Sequence, residues 1–597
     1  MRAVTDDDGP SLELGLIGNS SFAALIDARG RVVWQCLPRV DGDPVFCRLL
    51  GGTGEYAVDL VGFAHAAQAY DLHTPILRTT LFAHDGDSVE ILDFAPRFYA
   101  RGRVMRPQTH VRWIRPLSGS PRITIRINPT QGWGERPQVA RRGSNHISFD
   151  GGDAGFRVTT NAPVSFVYDE TTFRLDRDIF LIAGPDEPLS DAPDRLAQTW
   201  EIETRHYWRE WVRSLAIPLE WQEPVTRAAI TLKLCVNEDT GGIVAAVTSS
   251  IPEHANSCRT WDYRYCWLRD AYFTVTALNR LSATGTLEHY LGYLANITAL
   301  SEGGHVQPVF GVGLETDLHE REISHLPGYA GGVPVREGNQ AAQHHQHDVY
   351  GHIVLASSQA FFDTRLLRPA GRREFQQLEE VGERGVALAD MPDAGIWEYR
   401  TRARVHTSSV LMTWAACDRL AKIANHLRLD DRASYWRANA ERVKATLIER
   451  AWDPEQRAFT GAYGSKHLDA SVLLMGEVGF LAPTDPRFVS TVEAIGAELR
   501  RGDYLLRYSE PDDFGAPQNA FIVCSLWYID ALAQIGRVAE ARAMFEGILA
   551  RRTKLGLMSE DIDPLTGVLW GNFPQTYSMV GIINAAARLS LPWTAMV

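Results

Sequence analysis

One short segment of this 597-residue chain concentrates charged and aromatic side chains. Residues 259–270, RTWDYRYCWLRD, contain three arginines, two aspartates and four large aromatic residues. Such a mixture can form a buried ion-pair network. It can also bind a sugar, because Arg and Asp form bidentate hydrogen bonds with hydroxyls while the C–H face of a sugar lies on a Trp or Tyr ring. In that interpretation, Arg269 and Asp270 bind two hydroxyls at the end of a glucose unit.

Two glutamates are candidates for proton transfer. Glu398 lies between Trp397 and Tyr399 in GIWEYR, and aromatic surface removes water from a carboxyl and favours its protonated form, as a general acid requires. Glu560 lies in the polar run SEDID, where we expect an ionised carboxylate that serves as a general base. The alternatives are a solvated loop glutamate at 398 and a calcium loop around 560, although the ligand spacing of an EF-hand is missing.

A group of histidines follows the glycine-rich segment 328–339. His344, His347 and Asp348 share one face if the segment is helical, which is compatible with a metal site. The rest of the sequence offers no matching ligand group, and histidines that hydrogen-bond to a sugar explain the cluster equally well. We therefore expect neither a metal nor a cofactor.

The hydrophobic pattern divides the chain into two parts. From Leu14 to about Gly184, short runs of alternating apolar residues are separated by turn formers, which is typical of an antiparallel β-sandwich. After Pro224 the apolar spacing becomes helical, as in Val225, Ala228 and Leu232. The pattern predicts a sandwich over 1–194, a helical linker over 195–218 and a helical catalytic domain over 219–597.

Composition excludes several classes of function. The formal charge of −13 and the lack of a long basic run argue against nucleic acid as a partner. Seven widely spaced cysteines without a CxxC pair indicate buried thiols. Residues 1–10 are acidic instead of resembling a signal peptide, and no apolar stretch is long enough for a membrane span. We expect a soluble cytoplasmic protein with no membrane partner. The sequence is compatible with a homo-oligomer.

Several long motifs together resemble glycoside hydrolase family 15, the glucoamylases and bacterial trehalases. They are RTWDYRYCWLRDA at 259–271, GYAGGVPVREGN at 328–339, QHDVYG at 346–351, GIWEYR at 395–400, LDAS at 468–471 and MSEDIDPLTGVLWGNFPQTYS at 558–578. Residues 14–46 resemble the trehalase-like N-terminal domain of the bacterial members. The resemblance covers essentially the whole chain and implies an N-terminal antiparallel β-sandwich followed by an (α/α)6 barrel.

The resemblance also implies roles for individual residues. Glu398 would be the general acid and Glu560 the general base. The subsite for the non-reducing glucose would be lined by Tyr263, Trp267, Arg269, Asp270, Arg336 and Trp397. Glu337 departs from the family pattern, and we expect it, with the loops at 305–335, to shape the site beyond the cleaved bond.

These inferences lead to a prediction of function. We expect an inverting, exo-acting hydrolase that releases β-glucose from α-glucans or α-gluco-oligosaccharides, with an α,α-trehalase of the same family as the alternative. Inversion requires the two carboxyls to lie about 6.5–9.5 Å apart, so that a water fits between sugar and base. An inverting phosphorylase, which replaces the base by phosphate, and a sugar-binding protein without activity are more distant alternatives.

Overall fold

The structure, a computed structural model, describes residues 11–301 and 305–596. The acidic segment 1–10, on which the prediction of no signal peptide rested, lies outside the described residues. Within those residues, no helix is both long and apolar enough to cross a membrane. Six of the seven cysteines are buried as predicted, whereas Cys258 is exposed.

The first part of the chain folds into two facing antiparallel sheets, which confirms the predicted sandwich. In the order of pairing, the first sheet contains Leu14–Gly18, Ala23–Asp27, Val32–Leu37, Glu55–Leu60, Arg122–Asn128 and Phe173–Arg174, with Asp43–Phe46 beside the third strand. The second contains Val139–Arg142, His146–Asp150, Phe156–Thr160, Ile179–Gly184, His110–Ser118, Ser88–Phe94, Leu77–Ala83 and Phe63–Tyr70. Apolar side chains of both sheets, such as Ile17, Val58 and Ile114, form the core between them.

Helices begin at the edge of the sandwich and then dominate. Helix α1 (Val164–Tyr168) is a single turn inside the sandwich, and α2 (Pro193–Arg213) corresponds to the predicted linker. Proline at the first position of α2 suits a helix start, because the missing N–H would have no partner there. Tyr207 and Trp208 are buried, so α2 packs against its neighbours instead of running free in solvent.

The second part of the chain is an (α/α)6 barrel, as predicted. Its helices are α3 (Gln222–Leu234), α4 (Leu268–Arg280), α5 (Thr284–Leu300), α6 (Asp348–Ser358), α7 (Arg372–Leu388), α8 (Thr407–His426), α9 (Asp430–Ala451), α10 (Leu474–Glu477), α11 (Pro486–Leu499), α12 (Ile522–Gln534), α13 (Val538–Leu549) and α14 (Thr576–Leu589). Helices α4, α6, α8, α10, α12 and α14 form a closed inner ring, in which the 3-10 turn Ala470–Leu473 extends the short α10. The remaining helices pack outside this ring.

Short antiparallel ribbons connect the helices at one end of the barrel. They pair Cys266–Trp267 with Val309–Phe310, Arg321–Glu322 with Arg336–Glu337, and Ala520–Phe521 with Asp561–Ile562, which in turn pairs with Leu569–Trp570. Two of these strands, Cys266–Trp267 and Ala520–Phe521, lead directly into the inner helices α4 and α12. The long connections noted in the sequence therefore have a defined backbone where they meet the barrel.

The sandwich and the barrel share one continuous core. Leu14 and Trp34 of the sandwich pack in the same apolar cluster as Val225 and Cys266 of the barrel. The indole of Trp34 donates a hydrogen bond of 2.7 Å to the carbonyl of Val247. Because apolar burial stabilises in proportion to area, an interface of this kind holds the two domains in a fixed relation.

Arg264 of the barrel makes contacts with the sandwich. Its guanidinium makes two hydrogen bonds to the Asp262 carboxylate, of 2.9 and 2.7 Å, and both side chains are fully buried. A third N–H donates to the carbonyl of Gly42 at 2.6 Å, and the group lies 4.7 Å from the centre of the Trp133 ring. One N–H of the buried pair therefore depends on the sandwich for its acceptor.

We expect Arg264→Met to destabilise the protein by about 3–5 kcal/mol, because it leaves the Asp262 carboxylate buried without a cationic partner. The thermal midpoint by calorimetry measures the loss. Lys466→Met, which removes one half of an exposed pair with Glu455, is the control and should leave the midpoint unchanged. An equal midpoint for Arg264→Met and the wild type would contradict the dependence of docking on this pair.

Candidate active site

A cavity opens at the end of the barrel where the inner helices begin. The cavity has a volume of about 820 Å³, which includes solvent space at its mouth. Asp270 lies in the first turn of α4, while Phe521 and Gln575 immediately precede α12 and α14. Helix N-termini carry partial positive charge, so this arrangement favours carboxylates and hydroxyl oxygens in the cavity.

Seven of the eight residues that the sequence predicted for the site line this one cavity. They are Tyr263, Trp267, Arg269, Asp270, Trp397, Glu398 and Glu560. They come from three segments separated by more than a hundred residues in each case. The barrel brings them together because each segment leads into a different inner helix.

Segment 259–264 is extended and distributes its side chains between two surroundings. Arg259, Trp261 and Tyr263 line the cavity. Asp262 and Arg264 point to the opposite side and form the buried ion pair under the sandwich. Because side chains of an extended chain alternate, one segment contributes both to the cavity and to a buried ion pair. The ion-pair interpretation is confirmed for Asp262 and Arg264, and sugar binding by the residues that line the cavity stays a prediction.

The carboxyl of Glu398 is surrounded by hydrogen-bond donors. Its Oε1 accepts from the indole of Trp267 at 2.7 Å, from the amide of Gln346 at 3.1 Å and from Arg269 at 3.3 Å. The backbone of Glu398 is left-handed, with φ of 62°, which is costly for a residue with a side chain. This turn directs the carboxyl into the cavity.

The aromatic neighbours of Glu398 in sequence do not provide its surroundings. Trp397 lines the cavity, but its indole donates to Asp469 at 2.7 Å. The ring of Tyr399 stacks on His406 with centroids 5.5 Å apart. The predicted aromatic contact comes instead from Trp267, because the left-handed turn separates the directions of adjacent side chains.

Glu560 is fully buried next to Tyr263, whose hydroxyl donates to its Oε1 at 2.6 Å. Burial, together with the negative charge of Glu253, raises the pKa of Glu560 to about 8, whereas the Tyr263 hydrogen bond acts in the opposite direction. Our expectation that polar neighbours keep this carboxyl readily ionised was wrong. The polar residues beside it in sequence do not solvate it, since Asp561 is itself buried.

Gly571 allows the chain to pass close to Glu560. A Cβ at this position would lie 2.6 Å from the Glu560 Cβ, and the backbone φ of 76° also disfavours any other residue. At Gly571, backbone therefore packs directly against one side of Glu560, where a side chain would not fit.

Tyr263 and Trp267 place the two glutamates relative to each other. Their rings are 5.4 Å apart at the centroids and meet edge to face. One ring donates to Glu560 and the other to Glu398. The two carboxyls are thus held by one short segment, and their predicted separation of about 6.5–9.5 Å stays a prediction.

The floor of the cavity consists of Arg269 and Asp270. The Arg269 Nε lies 3.3 Å from the Asp270 Oδ2, and another N–H of Arg269 donates to the carbonyl of Ile396 at 2.9 Å. Burial raises the pKa of Asp270 to about 6, partly offset by Arg269. Apart from its ion pair with Arg269, the Asp270 Oδ2 accepts no hydrogen bond within the protein. A buried carboxylate oxygen with remaining acceptor capacity suits a polyhydroxylated ligand.

Arg336 is the predicted site residue that does not line the cavity. Its guanidinium donates to Glu320 at 2.8 Å and lies 5.4 Å from the centre of the Trp261 ring. Glu320 also binds Arg400, which does line the cavity. Arg336 therefore lies one layer behind the wall, and Glu337 is likewise outside it, paired with the exposed Arg321.

The histidine group does not form a cluster. His344 lines the cavity, whereas His347 contacts the carbonyl of Met391 and Asp348 pairs with His352. In the part of the chain that the structure describes, no group of three or more His, Cys, Asp and Glu side chains is arranged to hold a metal ion.

Sequence reasoning missed Arg507. This residue lines the cavity, is buried, and makes hydrogen bonds of 2.7 and 3.3 Å to Glu253. The pair places a positive charge beside the two buried carboxyls of Glu560 and Asp561. A signal was present, since Arg507 begins RYSEPDDFG, which mixes charged and aromatic residues as segment 259–270 does.

Comparison with known proteins agrees with this description. The model of "Glycosyl hydrolases family 15" matches residues 222–587, and that of "Trehalase-like, N-terminal" matches residues 4–173. The trehalase of Mycolicibacterium smegmatis is 31% identical, covering 97% of this chain and 91% of its own length, and that of Thermoplasma volcanium is 29% identical, covering 98% and 94%. A bacterial glucoamylase complexed with acarbose covers 98% of this chain and 94% of its own with a TM-score of 0.66; at 10% identity this likeness concerns the fold.

We expect Glu560→Gln to stabilise the folded protein at alkaline pH. The folded-state pKa of about 8 lies above the ordinary 4.5, so the stabilisation by protonated Glu560 is complete below about 4.5 and is lost as the pH rises to about 8. Glutamine carries no charge to bury, and the difference should reach about 2–5 kcal/mol at pH 9. Calorimetry at pH 5 and pH 9 measures it.

The control is Glu455→Gln, because Glu455 is exposed. Its effect on the thermal midpoint should be the same at both pH values. The difference in thermal midpoint between Glu560→Gln and the wild type should grow from pH 5 to pH 9. A constant difference would mean that the buried Glu560 carboxyl ionises in the folded protein without a cost in stability, which would contradict the prediction.

Proposed function

Because the chain belongs to glycosyl hydrolase family 15, it is a glycoside hydrolase, and we propose that it hydrolyses α,α-trehalose with inversion of configuration. The observation that carries the chemistry is that Glu398 and Glu560 line one cavity above the polar floor of Arg269 and Asp270. The choice of trehalose is supported by trehalases that are similar along nearly the whole chain. The sequence prediction put glucans first, and these relatives reverse that order.

In the proposed reaction, one glucose unit binds at the floor. Asp270 accepts hydrogen bonds from two neighbouring hydroxyls, and Arg269 donates to the same unit. Both side chains are largely shielded from water, so a hydroxyl that is missing or inverted leaves buried polar groups of the floor without that hydrogen bond. The floor thus selects the terminal glucose and limits the enzyme to the end of a substrate.

Glu398 then donates a proton to the glycosidic oxygen while the bond from the anomeric carbon to that oxygen breaks. Glu560 removes a proton from a water that attacks the same carbon from the opposite face. The new C–O bond forms on the β side, so the floor glucose leaves as β-glucose and the other unit leaves with its configuration unchanged. No cofactor takes part.

The groups around Glu560 have opposing effects on its ionisation. Tyr263 donates to Glu560, and the positive charge of Arg507 lies near it, whereas Glu253 and burial act against ionisation. Because the base must be ionised, we expect kcat/KM to fall as the pH is lowered below about 8.

A substrate panel tests the proposal directly. With trehalose, maltose, isomaltose and dextrin, we expect trehalose to have the highest kcat/KM. NMR of the first product should show equal amounts of β-glucose and α-glucose from trehalose. Preferred cleavage of maltose or dextrin would restore the glucan prediction. Turnover that occurs only with added inorganic phosphate would support the phosphorylase alternative, and no turnover of any substrate would support a binding protein.

Amide variants separate the two carboxyls. Glu398→Gln and Glu560→Gln should each reduce kcat on trehalose by about 1,000-fold or more. On α-glucosyl fluoride, whose leaving group needs no proton, Glu398→Gln should retain far more activity than Glu560→Gln. Asp563→Gln, next to the site in sequence but bound to Thr566 in an exposed turn, is the control and should behave as the wild type. Equal losses of both catalytic variants on the fluoride would contradict the assignment of acid and base.

A further inference from the structure

The cavity has a buried floor and a half-exposed mouth. Asp270, Glu560 and Tyr577 are buried at the floor. Trp261, Arg400 and Phe514 line the mouth and are only partly buried. A sugar that leaves after bond cleavage has to pass the mouth, so these side chains surround the leaving group in the proposed reaction.

The wall of the mouth is rigid. Arg400 makes two hydrogen bonds to Glu320, of 2.9 and 2.8 Å, and its guanidinium lies 4.6 Å from the centre of the Trp261 ring. The backbone N–H of Arg400 donates to Asp513 at 2.6 Å. Since Arg336 also binds Glu320, the residue behind the wall fixes the position of Arg400 through this carboxylate.

His344 completes this wall next to the general acid. It follows the 3-10 turn Gln340–Gln343 with extended backbone angles of −79° and 147°. Gln346, two residues later, donates to Glu398. Alternation along an extended chain places His344 on the side of Gln346 and directs His345 away, and His345 is indeed exposed.

The imidazole of His344 has no partner within the protein. Neither ring nitrogen forms a hydrogen bond, although both are shielded from bulk solvent. Burial lowers the pKa of His344, opposed by Glu398 and reinforced by Arg400, so the ring is neutral at pH 7. A neutral imidazole offers one donor and one acceptor, and leaving both unpaired in a shielded position costs free energy that a sugar hydroxyl would recover.

We propose that His344 is a specificity-determining residue of the leaving-group subsite, where its imidazole hydrogen-bonds to a hydroxyl of the departing glucose while Arg400 lines the same cavity. This inference rests on the proposed hydrolysis and adds to it the recognition of the second sugar. The residue acts on the leaving group alone, since the floor binds the other unit.

The test compares two substrates that share the floor glucose and differ in the leaving group. For His344→Ala and His344→Phe, we expect kcat/KM on trehalose to fall about tenfold or more, while kcat/KM on α-glucosyl fluoride stays within about twofold of the wild type. Phenylalanine keeps the size of the ring and removes both nitrogens. His344→Asn, which retains one donor and one acceptor, should recover part of the loss on trehalose.

The matched control is His345→Ala, because His345 is the exposed neighbour that contacts His305. It should leave both substrates unaffected. Equal losses of the His344 variants on trehalose and on the fluoride would place His344 in the catalytic or folding machinery, and no loss on either would remove it from substrate binding; both outcomes overturn the inference.

The inference and the proposed function fail in different ways. If the wild-type enzyme prefers maltose, the proposed substrate is wrong, and the same comparison between maltose and α-glucosyl fluoride still tests His344. If the wild type prefers trehalose and the His344 variants retain full activity on it, only the inference is wrong. Thermal midpoints of all variants identify any that is misfolded.

Discussion

The burial of negative charge next to a sugar-sized cavity is the constraint on which the rest of this structure depends. In the proposed reaction Glu398 and Glu560 act on a glycosidic bond out of bulk water, and a buried carboxyl needs donors or neighbouring positive charge. Tyr263 and Trp267 supply one donor each from a single segment. The segment can do this because its intervening residues are anchored in the sandwich by the pair of Arg264 and Asp262. The N-terminal domain thus supports the active-site wall as well as covering the barrel.

The same constraint explains the arrangement of charges around Glu560. Glu253, Glu560 and Asp561 are all buried within one region, and Glu253 pairs with Arg507 at 2.7 Å and with Arg259 at 3.8 Å. Burial raises the pKa of Glu560 and, with mutual repulsion, that of Asp561. The site therefore stores an unfavourable charge distribution that a stability-optimised protein would lack, as is common where activity requires a specific protonation state.

The floor and the mouth of the cavity are built from different kinds of structural element. The floor depends on groups in the first turns of inner helices, whose positions the closed ring determines. The mouth depends on loops, which are held by the ion pairs of Glu320 and by Asp513. Loops vary more easily than barrel helices, so differences in substrate between members of a family are expected at the mouth.

Period-two and helical apolar spacing were enough to predict the β-sandwich and the helical barrel, because both patterns are local properties of the chain. The long motifs also selected Glu398, Glu560, Arg269 and Asp270, which the fold brings to one cavity. What surrounds each of these side chains depends on the tertiary fold. A left-handed turn directs Trp397 and Glu398 to different partners, and Arg336 binds Glu320 behind the wall while Arg507 lines the cavity. Hydration and charge at a buried carboxyl depend mainly on the residues that packing brings next to it. Those residues are distant in sequence, so the neighbours of a carboxyl along the chain seldom predict its surroundings.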